Sequence, residues 1–127
     1  MPTRLLLVED DELNARVITV MCELAGYEVV RADDGLSALY VLWSERIDVV
    51  LLDVRLPVLD GPSLLRILRA HHSFDHLPVI ALTAMTAPAV RAELLELGAS
   101  GVLLKPFARK DLMTSLARAM ADTAAAC

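Results

Sequence analysis

The sequence predicts an α/β fold of three layers, in which helices cover both faces of a five-stranded parallel sheet. Four short apolar runs lack polar alternation, which is typical of parallel strands that are buried on both sides. A weaker run at residues 28–31 predicts an edge strand with one wetter side. Helical patterns follow each of the five runs, and this alternation indicates right-handed parallel connections. The four strong runs are Leu5–Val8, Val49–Leu52, Val79–Leu82 and Val102–Leu104.

The edge-like second strand favours the flavodoxin-like strand order 2-1-3-4-5, which places a topological switch between the first and third strands. Gly26 is expected to end the first helix as its C-cap, and Pro88 suits the first turn of the fourth. Large aliphatic residues of the first helix have the spacing of one face, so we expect that face to be buried. They are Leu13, Val17, Val20, Met21 and Leu24. The later helices are predicted at 36–45, 62–71, 88–97 and 110–121.

Length and composition indicate one globular domain. The 127 residues suffice for a single core, which we assign to residues 1–122, with 123–127 as a C-terminal tail. No apolar run approaches the roughly 20 residues of a membrane span, and the N-terminus shows no secretory signal, so a cytoplasmic location is expected. The net charge of -5 disfavours direct binding to nucleic acid. Cys22 and Cys127 suggest neither a disulfide nor a metal site.

Chemistry-bearing side chains follow the four strong runs. Glu9 and Asp10 come after the first, Asp53 after the second, Thr83 after the third and Lys105 after the last. Ligands of an open parallel sheet bind outside the carboxyl ends of its strands, near the switch point. The sequence therefore predicts that acids, a hydroxyl and an amine converge on one crevice.

Repulsion among three carboxylates in one crevice must be relieved by protonation, a cation or distance. A hard divalent cation is the simplest remedy, and Mg²⁺ is a better candidate than Ca²⁺. Mg²⁺ is usually held by one or two carboxylates together with phosphate oxygens, so a phosphate is expected nearby. Asp53 is central among the strand ends and can itself be a nucleophile that forms an aspartyl phosphate. Thr83 and Lys105 would then contact the phosphoryl group.

These residues resemble the signature of a known family, the receiver domains of two-component response regulators, from Arg4 to about Met120. The resemblance implies that Asp53 is the phosphoacceptor, that Thr83, Lys105 and the backbone N–H of Ala84 contact the phosphoryl group, and that Mg²⁺ is bound. It also implies a cis peptide at Lys105-Pro106. The implied Mg²⁺ ligands are Glu9, Asp10, Asp53 and the backbone carbonyl of Arg55. The matching positions are Glu9-Asp10, Asp53, Pro57, Gly61, Thr83-Ala84 and Lys105-Pro106-Phe107.

The implied function is that of a signalling domain in a phosphorelay, in which Mg²⁺-dependent phosphorylation switches affinity for a downstream partner. It would not be an enzyme, although it would assist its own phosphorylation and dephosphorylation. A histidine kinase or phosphotransfer protein would act upstream, with a separate protein or a fused output domain downstream. The region Pro88–Ala121 is the implied output face and a candidate for homodimer contacts. Neither nucleic acid nor membrane is expected as a direct partner.

One departure from the family pattern and two alternative functions stand beside this interpretation. The aromatic residue that many members carry three positions before the lysine is Val102 here, which puts the usual aromatic readout in doubt. Two outcomes are open: Thr83 moves with a smaller repacking of Val102 and of residues 84–97, or the response to phosphorylation is muted. A phosphorylation-independent pseudo-receiver is the first alternative. An aspartyl-phosphate phosphatase is the second, disfavoured because Arg55 stands where such enzymes need an acid. Whether the chain is a complete regulator or part of a larger protein stays open.

Other acids and aromatic residues receive structural interpretations. Asp11, Asp33, Asp34 and Asp60 stand near helix starts and are interpreted as caps or turn residues. Tyr40 and Trp43, at helical spacing, are interpreted as packing residues.

Overall fold

A computed structural model describes residues 2–126, with side chains described up to residue 122. Strands and helices alternate along these residues, with five of each. The strands are β1 (Arg4–Val8), β2 (Glu28–Ala32), β3 (Val49–Asp53), β4 (Val79–Thr83) and β5 (Gly101–Leu104). The helices are α1 (Glu12–Leu24), α2 (Gly35–Ser44), α3 (Gly61–Arg69), α4 (Pro88–Glu96) and α5 (Arg109–Ala126).

The five strands form one parallel sheet in the order β2-β1-β3-β4-β5. Strand order, parallel pairing and the edge position of β2 are confirmed as the sequence predicted. The register aligns the strand ends: Val8 pairs with Leu52, Asp53 with Leu82 and Thr83 with Leu104. The residues after β1, β3, β4 and β5 therefore lie at one edge of the sheet.

Each face of the sheet has its own apolar core. On one face, Leu6, Val50 and Ala81 of the strands pack with the buried residues of α2, α3 and α4. On the other, Leu5 and Leu51 pack with α1 and α5. All five of these strand side chains are almost fully buried, which explains why their runs contain no polar alternation.

The predicted buried face of α1 is wrong. Leu13, Val17, Val20 and Leu24 are between 47% and 70% exposed, and Met21 is only partly buried. The helix instead buries a second stripe, at spacings of three and four residues, against leucines and valines of β1 and β3. The buried stripe is Ala15, Ile18 and Cys22.

Three of the four acids interpreted as cap or turn residues are N-caps. The carboxylates of Asp11, Asp34 and Asp60 each accept the backbone N–H three residues later, at 2.8, 2.7 and 2.9 Å. Pro88 begins α4 as predicted, and Gly26 follows α1 with a φ of 97°, a left-handed conformation that glycine adopts readily. Helix α5 runs five residues beyond its predicted end, to Ala126.

The two aromatic residues of α2 differ in their surroundings. Trp43 packs edge-on against His71 and Phe74, with ring centroids 4.7 and 5.1 Å apart, although it stays 57% exposed. Tyr40 is 74% exposed, so its interpretation as a packing residue is wrong. Cys22 is a buried free thiol, and burial raises its pKa to about 12; Cys127 lies outside the described residues. Within residues 2–126, none of the helices has the length and apolarity of a membrane span.

Candidate functional site

A pocket of about 440 Å³ opens at the carboxyl ends of β1, β3, β4 and β5. Because the strands end at the same level of the sheet, the residues at and just after these ends surround a single opening. All of the residues to which the sequence assigned chemistry line it, and none is placed elsewhere. They are Glu9, Asp10, Asp53, Arg55, Thr83, Ala84 and Lys105.

Lys105 links two of the carboxylates across the pocket. Its Nζ lies 2.8 Å from Glu9 Oε1 and 2.7 Å from Asp53 Oδ2. Glu9 and Asp53 are only 1% and 6% exposed. Together with Thr83, they are the buried polar or charged residues among those the structure describes. Buried carboxylates of this kind need a cation or a proton close by, and Lys105 supplies the cation.

The backbone around Asp53 holds its carboxylate in place. The backbone N–H of Arg55 donates to Asp53 Oδ1 at 3.0 Å, and that of Val54 donates to Leu82 O, which continues the β3–β4 ladder. Helix α3 begins close by at Gly61, where a Cβ would lie 2.5 Å from Asp53 O. Glycine is therefore required at this position, because any larger residue would push α3 away from the acceptor strand.

Thr83 and Lys105 are positioned by the last pair of strands. Thr83 is almost fully buried, and its Oγ1 accepts the backbone N–H of Met85 at 3.1 Å. The backbone N–H of Lys105 donates to Thr83 O at 2.8 Å, which fixes the start of the loop after β5. The Lys105-Pro106 peptide is cis, as the resemblance implied.

Burial and the three-residue ion cluster shift the pKa values of the site in different directions. Burial, together with the neighbouring Asp53, raises the pKa of Glu9 to about 7 although Lys105 opposes the shift. Burial also acts to raise the pKa of Asp53, but hydrogen bonds with Glu9, Lys105 and the backbone of Arg55 lower it overall. Near neutral pH Glu9 is therefore partly protonated, while the Asp53 carboxyl is ionised.

The donor set of the pocket fits a hard divalent cation. Glu9, Asp10 and Asp53 each offer a carboxylate oxygen, and these oxygens lie within 4.8 Å of one another. Asp10 is exposed, which leaves room for water molecules around a bound ion. Oxygen donors with few protein ligands and access to water match the preferences of Mg²⁺.

Two residues near the site differ from what the family motifs indicate: Val102 replaces the usual aromatic residue, and Arg31 makes a contact that no motif includes. Val102, in the place of the usual aromatic residue, is half-buried against the α4 side of the core, and its carbonyl accepts a hydrogen bond from Arg91 at 3.2 Å. Arg31 on β2 contacts the backbone of the acidic pair. Sequence reasoning missed Arg31, because the only signal was its position near the end of a strand adjacent to β1.

Comparisons with known proteins agree with this geometry. The family model for the response regulator receiver domain matches residues 5–117. Response regulator MprA of Mycolicibacterium vanbaalenii is 39% identical over 116 residues, which cover 91% of this chain and 49% of that protein. The chain thus spans about half the length of this relative.

Solved structures give the same result. A putative response regulator from Chloroflexus aurantiacus superposes with a TM-score of 0.92 at 34% identity, covering 95% of this chain and 99% of that one. The receiver domain of sensor histidine kinase PA1611 from Pseudomonas aeruginosa, with a magnesium ion in its active site cleft, has a TM-score of 0.87 at 39% identity, covering 95% and 99%. The chain belongs to the family of response-regulator receiver domains.

Proposed function

We propose that this domain accepts a phosphoryl group on Asp53 in a Mg²⁺-dependent reaction and that the modification changes its affinity for a downstream partner. The observation that carries the proposal is the buried cluster of Glu9, Asp53 and Lys105 beside Thr83. A purely structural ion pair would not need a third carboxylate, an exposed pocket and a buried hydroxyl at the same place.

The chemistry would proceed by direct displacement. A carboxylate oxygen of Asp53 attacks the phosphorus of the donor, the bond from phosphorus to the donor nitrogen or oxygen breaks, and its electron pair leaves with the donor. The product is a mixed anhydride on Asp53. Because the pKa of Asp53 is lowered, its carboxylate is ionised at neutral pH and no separate base is required.

Lys105 and Thr83 would bind the transferred group. The Lys105 ammonium, which pairs with two carboxylates at 2.7–2.8 Å, can exchange one of them for a phosphoryl oxygen. Thr83 Oγ1 and the backbone N–H of Ala84 supply further donors at the pocket wall.

A bound Mg²⁺ ion would neutralise charge on the phosphoryl oxygens and hold the donor in line. Glu9, Asp10, Asp53 and the carbonyl of Arg55 are the residues that would hold it. Occupancy requires Glu9 to give up its proton, since its pKa is raised to about 7 without metal. The domain would thus assist its own modification without being an enzyme that turns over a separate substrate.

The upstream partner would dock beside the pocket, on the exposed face of α1. A groove of about 380 Å³, lined by Val17, Ile18, Met21 and Phe107 among others, shares Asn14, Ala84 and Lys105 with the acceptor pocket. The exposed aliphatic stripe of α1 extends this groove away from the acceptor. A histidine kinase or phosphotransfer protein could cover this apolar surface while it presents a phosphohistidine to Asp53.

The downstream face would include α4, β5 and α5, within the region Pro88–Ala121. Exposed Leu95 and Leu104 lie on this face, and homodimer contacts here are part of the proposal. Since Val102 is smaller than the usual aromatic residue, the signal would pass by repacking of Val102 and the segment from Ala84 to Leu97. A fused output domain and a cytoplasmic location remain predictions.

Intact mass after incubation with Mg²⁺ and acetyl phosphate tests the proposal. One phosphoryl adduct is expected in the parent protein and none in Asp53→Asn or in the absence of Mg²⁺. Asp60→Asn, which removes an exposed cap carboxylate, is the matched control and should keep the adduct. A parent protein that stays unmodified with both acetyl phosphate and a phosphorylated kinase would favour the phosphorylation-independent module. Steady phosphate release from many unrelated phosphate esters would favour the phosphatase.

A further inference from the structure

Arg31 reaches from the edge strand to the turn that carries the acidic pair. Its Nε and Nη2 donate to Glu9 O at 3.2 and 3.1 Å, and Nη2 also donates to Asp10 O at 3.3 Å. The β1–β2 register places Arg31 opposite Leu7. One guanidinium thus binds two successive carbonyls just beyond the end of β1.

The turn from Glu9 to Asp11 is held at both of its ends. The backbone N–H of Glu9 donates to Ala32 O at 3.1 Å, which extends the β1–β2 ladder, and Asp11 caps α1 through the N–H of Asn14. Arg31 binds the carbonyls that lie between these two points. The Glu9 and Asp10 side chains meanwhile line the acceptor pocket.

We infer that Arg31 is a positioning residue for the cation site: its guanidinium fixes the backbone of Glu9 and Asp10 so that their carboxylates stay near Asp53. The inference rests on the proposed function, and it adds a residue outside the predicted ligand set. Like charges on the three carboxylates oppose their close approach, so a contact that fixes the backbone helps to keep their oxygens within the observed 4.8 Å of one another. A turn that is already fixed loses less conformational freedom on binding, so the cation binds more tightly.

Arginine is suited to this contact in a way that lysine is not. The planar guanidinium presents several N–H donors in a fixed fork, whereas the lysine ammonium is a point charge on a flexible chain. Arg31→Lys therefore keeps the positive charge and loses the simultaneous contact with Glu9 O and Asp10 O.

Charge and positioning predict opposite effects on cation binding. A positive charge next to a cation site weakens binding through repulsion, so loss of the Arg31 charge alone would tighten it. Loss of positioning would weaken it. The direction in which Arg31→Gln changes the affinity for Mg²⁺ therefore separates the two roles. Arg31→Lys keeps the charge and tests the paired N–H donors of the guanidinium alone.

Calorimetric titration with Mg²⁺ tests the inference on the parent protein, Arg31→Gln, Arg31→Lys and the control Arg118→Gln. Arg118 is an exposed residue on α5, and its loss removes the same charge. Both Arg31 variants are expected to bind Mg²⁺ about tenfold more weakly, at the low end of the effects of residues that orient metal ligands, and Arg118→Gln within about twofold of the parent. Equal or tighter binding by Arg31→Gln would overturn the inference, as would unchanged binding by Arg31→Lys.

The rate of phosphorylation by acetyl phosphate provides a second readout. In both Arg31 variants the Mg²⁺ concentration for half-maximal rate should rise about tenfold, while the rate at saturating Mg²⁺ stays near that of the parent. A lower maximal rate with an unchanged Mg²⁺ requirement would contradict positioning of the cation site. If the parent binds Mg²⁺ and takes no phosphoryl group, the proposed function fails while the titration still decides the role of Arg31. A parent that binds no Mg²⁺ overturns the inference itself.

Discussion

Replacement of Lys105 by methionine should destabilise the metal-free protein in a pH-dependent way. The substitution removes a cation that lies 2.7–2.8 Å from two buried carboxylates and keeps a chain of similar length. Breaking a buried ion pair at one partner typically costs about 3–5 kcal/mol. The Lys105 side chain is 20% exposed, so water can replace part of its interaction. We therefore expect the free energy of unfolding to fall by about 2–3 kcal/mol at pH 8.

The pH dependence follows from Glu9. Its pKa is raised to about 7 in the folded protein from 4.5, so the folded chain binds more protons than the unfolded chain between these values. This group therefore lowers stability as the pH rises from about 4.5 to about 7. At pH 5.5 Glu9 is mostly protonated, the cluster carries one negative charge fewer, and loss of Lys105 should cost less, about 1–2 kcal/mol.

Chemical denaturation followed by circular dichroism, with a chelator present, measures these differences at pH 8 and pH 5.5. Lys110→Met is the control, since Lys110 is exposed at the start of α5 and should change stability by less than about 0.5 kcal/mol. Saturating Mg²⁺ at pH 8 should recover most of the stability lost in Lys105→Met. A loss of equal size at both pH values would refute the raised pKa of Glu9.

Three further results are expected. Val17→Ala on the exposed stripe of α1 should lower the free energy of unfolding by less than about 0.5 kcal/mol, whereas Ile18→Ala should lower it by about 2–4 kcal/mol, because Ile18 is only 4% exposed. Equal losses of stability in denaturant titrations would contradict the observed orientation of the helix. Val58 has a φ of 69° and is 78% exposed, so Val58→Asn should stabilise the domain by about 1 kcal/mol, and a lower denaturation midpoint would argue against strain. The apparent affinity for Mg²⁺ should rise about tenfold from pH 6 to pH 8, because Glu9 must lose its proton; calorimetry that finds no change, or an equal change in Glu9→Gln, would exclude this coupling.

The fold and most of the pocket could be predicted because each depends on short local signals. Uninterrupted apolar runs identify buried parallel strands, and parallel strands place the residues that follow them at one edge. Asp53, Thr83 and Lys105 are far apart in sequence, but each directly follows or ends such a run. Their convergence therefore needed only the strand order, which the edge-like β2 indicated.

The orientation of α1 and the contact of Arg31 could not be predicted from local signals. Helix α1 has aliphatic residues on two faces, and the choice between them depends on how each face packs against the sheet, where Leu5 and Leu51 lie. The Arg31 contact depends on the register of two strands and on the reach of a long side chain. The spacing of apolar residues along the sequence gives no information on the packing of α1 against the sheet or on the strand register.

Localisation of the phosphoryl group tests the central claim most directly. Borohydride reduction of the modified protein converts an aspartyl phosphate to homoserine, which peptide mass spectrometry can assign to one residue. After incubation with Mg²⁺ and acetyl phosphate, we predict homoserine at Asp53 and unchanged Glu9, Asp10 and Asp60. Homoserine at Asp10 or Asp60 with unmodified Asp53, or a phosphoryl group resistant to borohydride, would contradict the assignment of Asp53 as the acceptor.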